Sequence, residues 1–207
     1  MNSVDIIKDR RSINYFDPNY EISDSDINEI LNLSKLTPSS LNLQPWEIIS
    51  VKTKENKIKL RKCAMNQEKV EKASVVFIVI ADIDACEKNI DKVLESWVNL
   101  GYMDQKTAEI YKNLPLKLYG DRDSIKRKFF ALKNASFFAM SIMYFAKILG
   151  FESHPMDGFD EEAIKKEFSI DKNKIIPLII AVGKKDPQAK LLPRAYRKEV
   201  SEFNKII

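Results

Sequence analysis

The chain has 207 residues, 44% hydrophobic and 31% charged, which suits one globular domain with a real core and excludes a disordered chain. Its 34 basic and 30 acidic residues leave a net charge of +4, mixed along the whole length, which argues against the basic stripe of a nucleic-acid binder and still favours an anionic ligand. With five glycines, two cysteines 23 positions apart and one histidine, a Gly-rich phosphate loop, a disulfide framework, a zinc site and a Ser-His-Asp triad all lack their residues.

In chain order, the N-terminus carries no apolar run suited to a signal peptide. Residues 3–9 read as a short helix with Val4, Ile6 and Ile7 on one side. A second helix spans 23–35, with Ser23 as N-cap, acids in the first turn, and Ile27, Ile30 and Leu31 at helical spacing. Pro38 ends it, because the residue before a proline avoids the helical region. A strand follows at 46–53, an amphipathic helix at 54–64, and a continuous β-branched run at 73–82 that fits a strand buried on both faces. Residues 91–113 read as helical. The longest helix spans 122–149, starting near Asp121 or Asp123 and stopped by Gly150. Its segment 134–149 is apolar on nearly every side, which predicts burial in a core or between subunits. An amphipathic helix at 160–170 and a second buried strand at 175–185 complete one α/β or α+β domain over 1–207. Neither of the longest apolar stretches, 75–81 and 137–146, reaches the length that spans a membrane, so the expectation is a soluble, cytoplasmic protein.

Five stretches carry donors or loop geometry suited to a ligand. Arg10, Arg11 and Ser12 supply charge and forked donors that match phosphate oxygens. The stretch TPSSLNLQPW at 37–46 passes ten residues without a charge in a Lys-rich chain, with Ser and Asn to hydrogen-bond and two prolines to stiffen it. Asn66 and Gln67 offer paired amides that can read the amide edge of a heterocycle. HPMDGFD at 154–160 is a Pro…Gly loop where backbone can approach a flat ligand. Its isolated His154 reads as a surface or internally satisfied histidine rather than a catalyst. LLPRAYRKEV at 191–200 adds two more arginines. Cys63 and Cys86 read as ordinary thiols, buried or half-buried.

In this order, the set R-R-S near 10, P-S-S-x-N-x-Q-P-W near 40, N-Q ahead of A-S-V-V-F, P-x-D-G-F-D near 157 and L-P-R near 193 resembles the FMN-dependent nitroreductase family of NAD(P)H-dependent oxidoreductases over essentially the whole chain. The resemblance implies an α+β fold, a mixed central sheet flanked by helices, in an intertwined homodimer with two FMN sites at the interface. The helix around 134–149 would lie at that interface. By the same resemblance, Arg10, Arg11, Ser12 and Asn14 would line the phosphate and pyrimidine side of FMN. Pro38, Ser39, Ser40 and Asn42 would come from the opposite subunit. Asn66, with Gln67, would bond the polar edge of the ring. Pro155, Met156, Asp157 and Gly158 would lie along it, with backbone N–H groups near N5. Arg194 and Arg197 would hold the phosphate. Asn14 stands where the family often carries a basic residue.

The resemblance also implies the chemistry: NADH or NADPH as co-substrate, no metal, no catalytic side chain, and ping-pong two-electron reduction of a small-molecule acceptor such as a nitroaromatic or quinone, with FMN carrying the redox step. A positive field from Arg10 and Arg11 near the pyrimidine edge would favour the reduced cofactor. Alternatives on the same fold are a flavin-binding sensor or carrier with little turnover, and a specialised flavin oxidase or dehydrogenase. A nucleic-acid module is the weakest rival, and no membrane partner is expected.

Overall fold

The two longest β-branched runs become the two central strands. A computed structural model of the chain describes residues 3–207. Helix α1 spans Ser3–Asp9 and α2 spans Asp24–Ser34. Strand β1 (Trp46–Val51) is followed by α3 (Lys54–Cys63), α4 (Glu68–Lys72) and β2 (Val75–Ala81). Then come α5 (Ala85–Asn99), α6 (Gln105–Tyr111), α7 (Leu114–Tyr119) and the long α8 (Ile125–Ile148). Strand β3 (Glu152–Met156), α9 (Glu161–Glu167) and β4 (Ile175–Gly183) close the core.

The sheet order is β1-β2-β4-β3. Strand β2 sorts its side chains by the two-residue period of a strand. Val75, Phe77 and Val79 pack with α2, α5 and α8, while Val76, Ile78 and Ile80 pack with α3, α4 and α9. Helices cover both faces, so every residue of β2 is buried. That explains an unbroken apolar run in a sheet whose ladders are antiparallel. All three strand pairings run antiparallel, and the mixed sheet expected from the resemblance is reduced, among the described residues, to one isolated parallel bridge between Ser12 and Ser153.

Local signals work as anticipated at several ends. The Ser23 hydroxyl accepts from Asp26 N–H at 2.9 Å, and Asp160 caps α9 by accepting from Ala163 N–H at 3.0 Å. Three expectations need correction. The helical stretch 91–113 is two helices, because Gly101 takes a positive φ of 76° and breaks the chain after α5. The long helix is capped by Ser124 rather than Asp121 or Asp123. Residues 154–156 are strand rather than loop: β3 is an edge strand, where a proline can sit without interrupting an inner ladder.

Helix α8 is long and apolar enough to cross a membrane by length and composition, contrary to the reading of its sequence. It is a core helix: Phe130, Phe138, Ile142 and Met143 are buried against α2 and the sheet. Its opposite side exposes Phe129 and Phe137. The Arg127 guanidinium at its start is fully buried and clamps Glu87 of α5 at 2.7 Å and the Gly120 carbonyl at 2.8 Å. Cys86 is buried, which pushes its thiol up to about 11, and Cys63 is half-buried and also raised, chiefly by burial.

Candidate functional site

After α1 the chain is pinned by Ile13 and Phe16, both buried, and by Ile13 N–H donating to the Ser153 carbonyl at 3.1 Å. With those anchors inside, Arg10, Arg11, Ser12 and Asn14 turn to the other side. The C-terminal segment returns to meet them: Arg11 Nη2 donates to the Leu192 carbonyl at 3.0 Å, and the Arg194 guanidinium donates to the Lys8 and Arg10 carbonyls. Together they enclose a cavity of about 410 Å³. Arg10, Arg11, Lys190, Arg194 and Arg197 line it, and no carboxylate does. Among the buried side-chain donors of these residues, Arg10 Nη1 has no hydrogen-bond partner. An unpaired buried guanidinium N–H is costly, and an anion bound in the cavity would satisfy it. So the first and last of the five predicted stretches share one wall, although about 180 residues separate them in sequence.

The third and fourth predicted stretches also meet. Gln67 Nε2 donates to the Gly158 carbonyl at 2.9 Å. A Cβ at Gly158 would lie 3.3 Å from Met65 Sδ and 3.4 Å from Gln67 Nε2, so the two loops are in close contact there. Met65 and Asn66 hold positive φ values of 50° and 56°, and Arg61 fixes the turn by donating to the Asn66 carbonyl at 3.2 Å. His154 of β3 ties this pair to the arginine segment. Its Nδ1 lies 3.0 Å from the Ile13 carbonyl, which can only accept, so Nδ1 carries the proton. Its Nε2 lies 3.4 Å from Lys69 Nζ. Burial, then the Lys69 charge, holds His154 below the usual histidine range, against the opposing bond to Ile13. Burial likewise lowers Lys69.

The neutral stretch 37–46 lies elsewhere in the same chain. Ser40 N–H donates to Asn134 Oδ1 of α8 at 3.0 Å, and the Ser40 hydroxyl bonds the Tyr119 hydroxyl of α7. Ser39 Oγ accepts from Gln44 N–H at 2.9 Å. Leu41, Asn42 and Gln44 all take positive φ, of 54°, 52° and 47°. For a leucine this is an outlier that the surrounding bonds must sustain. None of Pro38, Ser39, Ser40 and Asn42 lines the arginine cavity or bonds to its residues among the described ones. An apolar cavity of about 530 Å³ adjoins the stretch, with Tyr119, Phe129 and Phe130 in its wall and Lys126 and Lys133 beside them.

Sequence reasoning passed over Lys69 and Tyr119. Lys69 is one cation among 34 basic residues, and its contact with His154, 85 positions away, is a tertiary fact. Tyr119 bonds Ser40 across 79 positions and stacks on Phe130 with ring centroids 4.2 Å apart. His154 is, as anticipated, internally satisfied.

Known proteins match the chain along nearly its whole length. The sequence model of the nitroreductase family matches residues 7–184. MhqN of Bacillus subtilis, provisionally named an NAD(P)H nitroreductase, is 33% identical over 198 residues, 96% of this chain and 95% of its own. The crystal structure of the Bacillus subtilis protein YdfN superposes with a TM-score of 0.92 at 31% identity, covering 99% of this chain and 98% of that one. A nitroreductase from Exiguobacterium sibiricum, crystallised in complex with FMN, superposes with a TM-score of 0.89 at 25% identity, over 100% of this chain and 98% of that one.

Proposed function

The chain belongs to the nitroreductase family and is an oxidoreductase of that family, and from that premise we propose that it binds FMN between two copies of itself and uses NADH or NADPH to reduce small electron-poor acceptors such as nitroaromatics and quinones. The observation that carries this reading is the arginine cavity, with its buried, unpartnered Arg10 Nη1 and no carboxylate in its wall. That donor set fits a phosphate monoester, whose oxygens accept several charge-assisted bonds. The residues beyond it fit the rest of the cofactor. Asn66 and Gln67 offer amides to a heterocycle that both donates and accepts. Lys69 adds a positive charge beside them, in the place where negative charge on a reduced ring would be stabilised. Pro155, Met156, Asp157 and Gly158 would form the wall along which a flat ring lies, Met156 through its backbone, since its side chain is buried in the core.

When bound, FMN would supply the two-electron redox chemistry. The protein's part is to hold the phosphate with Arg10, Arg11, Arg194 and Arg197, to orient the ring with the amides, and to keep water from one face.

The second copy is supported by surfaces that a lone chain leaves open. Residues 190–207 are all exposed and form an arm whose Phe203, Ile206 and Ile207 have no core of their own to enter. The outer side of α8 exposes Phe129 and Phe137, and α1 exposes Val4 and Ile7. Burying such surface against a partner is the usual fate of apolar patches this extensive. A partner would also supply the neutral stretch with Ser39, Ser40 and Asn42, which lies apart from the arginine cavity in its own chain.

The test is NADH and NADPH oxidation by the FMN-loaded protein with a nitroaromatic, a quinone or oxygen as acceptor. The reading expects parallel double-reciprocal lines, the pattern of ping-pong turnover, with the first two. Stoichiometric FMN with negligible turnover would make the protein a sensor or carrier. Turnover with oxygen alone would make it an oxidase.

A further inference from the structure

We propose that His154 is a positioning residue: its neutral ring ties Lys69 to the Ile13 carbonyl, fixes the lysine ammonium at the cofactor's polar edge, and releases it when the ring takes a second proton. The inference rests on the reading of this site as an FMN site. The geometry behind it is independent of any ligand.

The ring is held from both sides. Its Nδ1–H donates to the Ile13 carbonyl at 3.0 Å, which leaves Nε2 with its lone pair, 3.4 Å from the Lys69 ammonium. Only the neutral tautomer can do both. Ile13 is buried and sits between the arginines and Phe16. Lys69 lies in the first turn of α4, two residues after Gln67. One imidazole thus joins the phosphate-binding segment to the amide loop.

A proton at Nε2 would place two cations at that distance with no acceptor between them. Lys69 of α4 is the charged group whose field reaches the ring among the described residues; segment 10–14 offers a carbonyl, and the β4 residue opposite His154 is Ala181. No carboxylate is on hand to rescue the charged pair. Burial, then the Lys69 charge, favours the neutral ring, against the opposing bond to Ile13. The sign follows: the hold on Lys69 is complete above the ordinary histidine value of 6.5 and is lost as pH falls through the lowered one.

His154 is the only histidine, so its ring proton resonances can be followed by NMR without assignment. In the apo protein, the Lys69→Met substitution should raise the His154 titration midpoint, since the repelling charge is gone. A midpoint that does not move would overturn the proposal. FMN affinity gives the second readout. His154→Ala should weaken FMN binding about tenfold at pH 7.5, the scale of one lost bond to a charged group. His154→Gln, which keeps a donor and an acceptor but cannot titrate, should restore most of it. The FMN phosphate itself titrates near pH 6, so the decisive quantity is the affinity ratio of wild type to His154→Gln. That ratio should fall as the pH drops from about 7.5 to about one unit below the His154 midpoint read by NMR. A flat ratio would overturn the role. Wild type that takes up no FMN, while the midpoint still responds to Lys69→Met, would sink the FMN reading and leave the His154–Lys69 link standing.

Discussion

The arginine cavity and the neutral stretch 37–46 are built in opposite ways. The cavity concentrates Arg10, Arg11, Lys190, Arg194 and Arg197, and none of these residues departs from ordinary backbone geometry. The stretch carries no charge and holds positive φ at Leu41, Asn42 and Gln44, sustained by bonds to Asn134, Tyr119 and its own Ser39. Charge recognises an anion through long-range fields and tolerant side chains. An uncharged ring offers no such field, so what faces it must be shaped, and the strain is stored in the backbone. Under the proposed FMN site, the difference would explain why a Lys-rich chain leaves ten residues neutral: a charge there would sit against a flat heterocycle with nothing to neutralise it.

The largest expected effect is on the charged side. Arg10→Ala removes the buried, unpartnered donor and should cost about 2–3 kcal/mol of FMN binding, roughly a hundredfold in Kd by fluorescence titration. Arg10→Lys should recover only part, because a point charge does not reproduce the guanidinium fork. Equal affinity in all three proteins would remove Arg10 from the phosphate site.

Next comes charge on the neutral side. Asn42→Asp keeps a side chain that tolerates positive φ and adds one negative charge, so the fold should persist while FMN affinity falls about tenfold, near 1.4 kcal/mol. Co-expressing this chain with the Arg10→Ala chain sharpens the comparison. If the two regions meet across subunits, a mixed dimer has one intact site and one doubly altered site, and tight FMN uptake returns at one per dimer. If both belong to one chain's site, no tight site returns.

A backbone test is smaller. Asn42→Val puts a β-branched residue at φ 52° and should lower stability by about 1 kcal/mol in urea unfolding. Asn14→Val, exposed and at ordinary φ, should stay within about 0.5 kcal/mol. The smallest effect is at Gly158→Ala. Its Cβ meets the flexible ends of Met65 and Gln67 at 3.3 and 3.4 Å, so stability should fall by about 0.5 kcal/mol or less and FMN affinity by a few-fold.

What the sequence made legible tracks the range of the physics. Strand β2 was readable because burial on both faces writes itself as an unbroken apolar run, and β4 because its isoleucines and Val182 repeat that pattern on either side of Pro177. Ser23 and Pro38 marked the ends of α2 because capping and proline sterics act within a few residues. The missed strand β3 carries Ser, His and Pro, a composition that reads as a loop until the edge position is known. In the site, the residue types that suit a phosphate and an amide edge were visible one stretch at a time. Their convergence was not: Arg11 meets Leu192, and Gln67 meets Gly158, through contacts no local pattern encodes. Lys69 had no signal at all in a chain this rich in lysine.

The central claim is that these two unlike regions serve one cofactor. It is tested most directly by titrating the purified protein with FMN and following flavin fluorescence and the visible absorption spectrum. The account predicts saturable uptake at about one FMN per chain, or a yellow protein that releases FMN on denaturation, with uptake weakened roughly a hundredfold in Arg10→Ala. A colourless protein that leaves added FMN free in solution would contradict it.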